Sequence, residues 1–430
     1  MKLWKTFGAR KYSSVYELFE NPTVIQKYGG TSLGDVERIR HVAKRIQETY
    51  DSGVKNLAIV VSAMAGETNR LVELVAEVSS NTRPSVVDVA VSAGEQVSVA
   101  LLSAALEGLG LKAEPLMGFQ LGVLTTDSFE KARIRKIDTE KLKQAWAKDC
   151  IPVVAGFQGV TDCGYITTLG RGGSDTSAVA VAVAVGADFC EINTDVDGFF
   201  SADPRVVNDA KIIPKLDFEV ALEMASLGSK VLHTRSVELA AKFKMPLVVR
   251  NTFKDNTSQR TIVMNSSESE VLESPVVSGV SSVKNIAKIT VSGPSHQAEL
   301  ISRLFQQIND CAINVDIIVH DRLDDEERVK LGFTVEESEF LRVLEVIDAL
   351  KQTERLAQLE VKSESNLAKV SVVGLGMKNH HGVAYKVFDT LNTNGIDIKM
   401  ISTSEIKISC VVRSEDCDLA VIGLHKAFIG

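Results

Sequence analysis

Residues 24–32 read Val-Ile-Gln-Lys-Tyr-Gly-Gly-Thr-Ser. A short apolar run ends in a lysine and two glycines. A helical pattern then starts at Asp35, with Val36, Ile39, Ala43 and Ile46 on one face. Strand, glycine turn and helix form the unit that joins parallel strands, because the chain must cross back along the sheet before it can pair again. The unit recurs: LAIVVSA (57–63), VVAGF (153–157), FCEIN (189–193) and PLVVRN (246–251) are apolar runs bounded by turns or helical patterns. From Val24 to Met264 this alternation predicts an α/β fold, a mostly parallel sheet sandwiched by helices.

The glycines carry chemistry as well as shape. Without a Cβ, Gly29 and Gly30 let the backbone approach a phosphate, and the free N–H groups of a helix start attract anions. Lys27 adds a point charge beside them. LGRGGSDTS (169–177) has the same logic: the run YITTL leads in, and the Ala/Val helix around 178–187 follows. Two such loops at strand ends of one sheet face one crevice. Arg171 suits bidentate capture of a carboxylate, and Asp175 suits orienting Lys27.

Composition bounds the rest. With 430 residues the chain is too long for one core, so two or three domains are expected. A net charge of −8 supplies no basic field for nucleic acid. The longest apolar run, Ala178–Ala187, falls short of the ~20 residues of a membrane span. Residues 1–22 carry four basic side chains before Glu17 but no continuous apolar core, which predicts a surface arm of no catalytic consequence rather than a secretory signal. The six cysteines form no CxxC pair and the seven histidines no metal-binding cluster. Reduced thiols, no zinc site and a cytoplasmic location are expected.

After a polar, acidic linker at 265–274 the sequence repeats itself. IAKITVSG (286–293) corresponds to LAKVSVVG (367–374), and INVDIIVHD (313–321) to IDIKMISTS (396–404). Helical patterns at 299–310 and 382–394 lie between them, and the strands VKLGFTV and KISCVV follow, each leading to a second helix. LAQLEVK (356–362) gives the first copy a fourth strand that the second lacks. PVVSGVSSV (275–283) is an extra strand ahead of the first copy. It is expected to complete the second sheet, nesting one copy inside the other.

KYGGTS, SAGEQ (92–96), GRGGSDTSA (170–178), TDVDG (194–198), ADPR (202–205) and ASLGSKVLHTRSVE (225–238) stand in the order and spacing of the aspartate kinases, and from about residue 23 to 428 the chain resembles that family. The repeats resemble its paired ACT domains. The resemblance implies an N-terminal arm (1–22), an amino-acid kinase catalytic domain (23–266) and two nested ACT-like domains (275–363 and 364–430, with 275–283 completing the second). It also implies ATP-dependent phosphorylation of the side-chain carboxylate of L-aspartate, with ATP and Mg²⁺ required.

By the same resemblance Lys27, Gly29, Gly30, Gly172 and Gly173 meet the ATP phosphates. Asp175 holds Lys27, and Ser174 lies between substrate and phosphate. Thr68 and Glu95 bind aspartate, Glu95 taking the ammonium group, and Arg171 takes the α-carboxylate. Thr194, Asp195, Asp203, Arg205, Lys230 and Val231 fall at nucleotide positions. No protein metal ligand is implied. Phe200 stands where a tyrosine usually precedes ADPR, and Thr234 replaces a proline. A homo-oligomer joined through the ACT domains is implied, with an amino-acid effector possible, and neither nucleic acid nor membrane as partner. At the first-repeat effector loop, Ser295–Glu299 departs from a family pattern close to PDKPG, and His320-Asp321 replaces Gln-Asn, so feedback by lysine or threonine there is expected to be weak. Two alternatives are a catalytically inactive amino-acid sensor and a related kinase with another acceptor.

Overall fold

A computed structural model describes residues 15–228, 231–254, 259–265, 277–294, 298–322, 328–352, 359–377 and 380–430. The chain forms two compact units, residues 1–200 with 212–274, and residues 201–211 with 275–430.

The first unit is built on an eight-stranded sheet. Its strands are β1 (Thr23–Tyr28), β2 (Asn56–Val61), β3 (Lys112–Leu116), β6 (Cys150–Ala155), β9 (Phe189–Thr194), β10 (Lys215–Leu216), β11 (Leu247–Asn251) and β12 (Thr261–Val263), in the order β10-β12-β11-β9-β1-β2-β6-β3. Every pair is parallel except β11–β12. The apolar runs at β1, β2, β6, β9 and β11 are buried almost throughout, as continuous runs in a covered parallel sheet must be. The helices are α1 (Val36–Asp51), α2 (Glu67–Val78), α3 (Pro84–Val91), α4 (Ala93–Gly108), α5 (Glu140–Trp146), α6 (Gly173–Val185), α7 (Phe218–Ser226) and α8 (Thr234–Phe243). A smaller sheet of two- and three-residue strands joins β4 (Leu124–Thr125), β5 (Ile134–Lys136), β7 (Gln158–Val160) and β8 (Ile166–Thr168) in the order β5-β4-β7-β8. β8 lies in the run YITTL, so the second glycine loop follows a strand of this sheet and not, as expected, one of the main sheet.

The first helix starts where expected: Gly30–Leu33 is a single 3-10 turn, and Asp35 caps α1, its carboxylate accepting from Arg38 N–H at 2.8 Å. Other expectations need correction. Ile39, Ala43 and Ile46 are buried, but Val36 is half exposed because it occupies the first turn. The end of the N-terminal arm is not superficial. Val15, Tyr16 and Leu18 are buried in the main core, and the Tyr16 hydroxyl donates to Glu191 at 2.6 Å. The stretch Pro84–Gly108 is long and apolar enough to cross a membrane, which a search for unbroken apolar runs overlooks. It carries the buried carboxylates Asp88 and Glu95, and half of its most apolar window is covered by the rest of the unit.

In the second unit one antiparallel sheet contains both repeats. Its strands are β13 (Gly279–Pro294), β14 (Val315–Arg322), β15 (Arg328–Glu336), β16 (Glu360–Val373), β17 (Met400–Thr403) and β18 (Lys407–Arg413), ordered β14-β15-β13-β16-β18-β17. The helices are α9 (Ala298–Asp310), α10 (Phe340–Lys351), α11 (Val383–Thr393) and α12 (Cys417–Phe428). Strands expected to be separate are continuous: the segment after 275 runs straight into IAKITVSG, and LEVK into LAKVSVV. Asn285 and Asn366, at φ of 61° and 58°, sit at the two junctions, where Ile286 pairs with Leu367. A left-handed Asn lets the strand step over one residue and continue on the other repeat's sheet. Residues 279–284 pair with 368–373, and 288–292 with 360–364.

The segment 201–211 leaves the first unit and is built into the second. Ala202 and Val207 are buried with Val280, Val421 and Leu424, and Val280 N–H donates to Ser201 C=O at 2.8 Å.

Candidate active site

At the carboxyl ends of β1, β2 and β9 the first unit has a cleft of about 540 Å³. Such a crevice is where open parallel sheets bind ligands. Lys27 reaches it from β1, flanked in register by Val60 of β2 and Ile192 of β9. Its Nζ lies 2.6 Å from Asp175 Oδ1, both side chains being nearly buried.

The glycines are where they are for steric reasons. A Cβ on Gly30 would stand 2.8 Å from the Ala63 carbonyl oxygen. Gly172 caps α6 at φ 67°, and its Cβ would fall 2.0 Å from the His233 ring. A Cβ on Gly173 would meet Phe157 at 2.8 Å. Ser174 and Asp175 then occupy the first turn of α6, beside its unpaired N–H groups.

Glu95 enters from the first turn of α4 and is 2% exposed. Ala63 N–H donates to its Oε1 at 3.0 Å, and Oε2 is buried without a partner. Burial pushes this carboxyl up to about 7 against the pull of the backbone N–H bonds. Gly94, whose Cβ would meet Ala63 at 2.8 Å, lets α4 come close enough for that contact. Arg171 extends into the cleft from the second glycine loop, is exposed, and forms no ion pair among the described residues.

The cleft thus gathers Lys27, Gly29, Gly30, Thr68, Glu95, Arg171, Gly172, Gly173, Ser174, Asp175, Thr194 and Val231. Asp195, Asp203 and Arg205 do not line it. Asp195 is exposed and accepts from Thr194 Oγ1 at 3.2 Å, while Asp203 and Arg205 pair with each other at 2.7 Å in the segment built into the second unit. Lys230 lies outside the described residues, as do Ser295, His296 and Gln297 of the first-repeat loop. His320 and Asp321 are exposed on the edge strand β14. Thr234 is the first residue of α8, a position that welcomes proline because its N–H has no helical partner, so the exchange breaks no bond.

Ser62, Asn69 and Phe157 also line the cleft without having been singled out from the sequence. SAMAGET (62–68) signals the first two by proximity to Thr68; nothing local signals Phe157. Among the described residues no group of three His, Cys, Asp or Glu side chains could hold a metal ion. All six cysteines are free, and burial pushes the Cys410 thiol up to about 12.

The amino acid kinase family model matches residues 22–251, and an ACT domain model matches 370–428. The chain is 44% identical over 406 residues to the aspartokinase of Pseudomonas aeruginosa, covering 94% of this chain and 97% of that one. Among solved structures it is similar to Escherichia coli aspartokinase III in complex with aspartate and ADP, with a TM-score of 0.76, 26% identity and coverage of 95% and 100%. It is also similar to the same enzyme in complex with lysine and aspartate, at a TM-score of 0.74 and 26% identity, covering 95% and 99%. The chain belongs to the aspartate kinase family.

Proposed function

We propose that the cleft binds ATP and L-aspartate together and transfers the γ-phosphoryl group to the aspartate side-chain carboxylate. The observation that carries the site assignment is the unpartnered buried oxygen of Glu95, in one cleft with Arg171, which has no ion pair among the described residues, and with the Lys27–Asp175 pair. An α-amino acid offers an ammonium and a carboxylate on one carbon, complementary to Glu95 and Arg171.

The acceptor is a side-chain carboxyl that ordinarily titrates at ~3.9, so it is ionised at neutral pH and needs no general base. The chain's work is alignment and charge stabilisation. Lys27 meets charge building on the transferred group, Asp175 keeps its ammonium aimed, and the glycine loops offer backbone N–H groups to the phosphates. Thr68 and Ser174 flank the acceptor, and Thr194 and Val231 the nucleotide. Asp195 and Lys230 are assigned to the nucleotide on the family motif. The product is an acyl phosphate, 4-phospho-L-aspartate.

Mg²⁺ would be held by the nucleotide's phosphate oxygens and water, which suits an ion that retains several waters and a cleft with no carboxylate cluster among the described residues. When bound it neutralises charge on the phosphates. We assign residues 23–266 to catalysis and the nested repeats to regulation and homo-oligomer formation, in the cytoplasm. ADP release measured with aspartate, with glutamate and with no acceptor tests the reaction. Turnover only with aspartate is expected, and equal turnover with glutamate would refute the acceptor assignment.

A further inference from the structure

Asp88 is completely buried on α3, outside the cleft, and belongs to none of the motifs that carry the chemistry. Its carboxylate is nevertheless fully used. Oδ1 accepts from the Thr168 hydroxyl at 2.6 Å and Glu130 N–H at 3.1 Å. Oδ2 accepts from Thr168 N–H at 2.9 Å and Glu130 N–H at 3.0 Å. Thr168 ends β8, three residues before Arg171. The Glu130 carbonyl abuts the loop from the other side, since a Cβ on Gly170 would stand 2.8 Å from it. One carboxylate therefore fixes both walls that brace Gly170.

The same residue is tied to the opposite side of the substrate site. Ser92 N–H donates to the Asp88 carbonyl at 3.1 Å, and Ser92 is the N-cap of α4, which carries Glu95 at its third position. Ser92 C=O in turn accepts from the Gln158 amide at 3.0 Å. On the loop side, Arg235 donates to Leu169 C=O and Ala132 C=O, each at 2.7 Å, so the loop's backbone is held on both flanks.

We infer that Asp88 is a positioning residue that sets the separation between Glu95 and Arg171, and through it the fit of the amino-acid acceptor. This rests on Glu95 and Arg171 binding the ammonium and the α-carboxylate. An apolar replacement would leave buried N–H groups unpaired and release Gly170, moving Arg171 relative to Glu95. Displacements on the order of 1 Å at a reacting geometry cost up to about a hundredfold. The phosphate-facing Lys27 stands on β1, apart from these bonds.

The test compares Asp88→Leu, Asp88→Asn and Thr168→Val in the full chain, with KM for aspartate and for MgATP, kcat and thermal melting. Asp88→Leu is expected to raise KM for aspartate about tenfold to a hundredfold with KM for MgATP within about threefold. Asp88→Asn should restore most of that loss, because its oxygen still accepts from the two backbone N–H groups while its NH₂ donates to the Thr168 hydroxyl. If Asp88→Leu is insoluble, Thr168→Val decides, with an expected several-fold rise confined to aspartate. A melting point lowered with KM for aspartate unchanged, or equal rises for both substrates, would overturn the proposal. Glu95→Gln and Arg171→Ala are measured alongside. If neither alters KM for aspartate, the site assignment fails, whatever Asp88 does.

Discussion

Lys27 Nζ and Asp175 Oδ1 lie 2.6 Å apart although 148 positions separate them along the chain (175 − 27). β1 delivers the cation at its carboxyl end and α6 the anion in its first turn, so each glycine loop contributes one half of the pair. The carboxylate keeps the ammonium in the cleft, beside the backbone N–H groups of both loops.

Lys27→Ala is expected to lower kcat by about 10²–10³ in a folded protein, the range for losing one electrostatic contact to developing charge. Single-turnover phosphoryl transfer measures it directly. Near-normal turnover would exclude Lys27 from the reaction.

Glu95 sets a pH dependence. Its carboxyl is pushed up to about 7 in the free protein, so below that pH it is mostly neutral and attracts an ammonium poorly. The kcat/KM for aspartate should fall as pH drops through about 7, approaching tenfold per unit, while kcat/KM for ATP stays flat. Glu95→Gln should give a low value for aspartate with this limb absent. Persistence of the limb in that variant would assign it to another group.

Gly172→Ala places a Cβ 2.0 Å from the His233 ring at a left-handed φ of 67°. Activity should be largely lost. In the double variant with His233→Gly the ring and Cβ contacts are all removed and the left-handed backbone strain remains, about 1–2 kcal/mol. Partial recovery of kcat/KM in the double variant is the expected result; none would place the defect elsewhere.

Tyr16 anchors the N-terminal segment. Its hydroxyl donates to Glu191 and accepts from Gln26 and Arg250, each of these two at 2.9 Å, while Arg250 and Glu191 form a buried ion pair. Tyr16→Phe leaves a buried carboxylate oxygen without that donor and should cost about 1–3 kcal/mol in urea unfolding. Unchanged stability would show that the network does not hold the segment.

Inhibition by lysine or threonine through the first repeat should be weak, because His296 and Glu299 stand where the family pattern has an acid and a glycine. Titration of activity with each amino acid, alone and together, checks this. Strong sub-millimolar inhibition abolished by His296 and Glu299 substitutions would contradict it.

Local pattern determined a good deal about this chain. The period of the apolar residues specified the parallel α/β half and the repeated half, and the glycine spacing located the two loops that line the cleft. These signals are legible because each arises from neighbours within a few residues. Other features depend on partners far away in sequence, which no window contains. Asp88 meets Thr168 across 80 positions and Tyr16 meets Glu191 across 175. The raised pKa of Glu95 comes from the removal of water by packed elements, not from its place in SAGEQ. The segment 201–211 reads like the rest of the catalytic half, yet its apolar side chains are buried in the second unit. Asn285 and Asn366 look like ordinary loop residues until the paired strands show them as the points where one repeat's sheet becomes the other's. Tertiary structure decided these matters because burial and hydrogen-bond satisfaction are properties of the assembled chain.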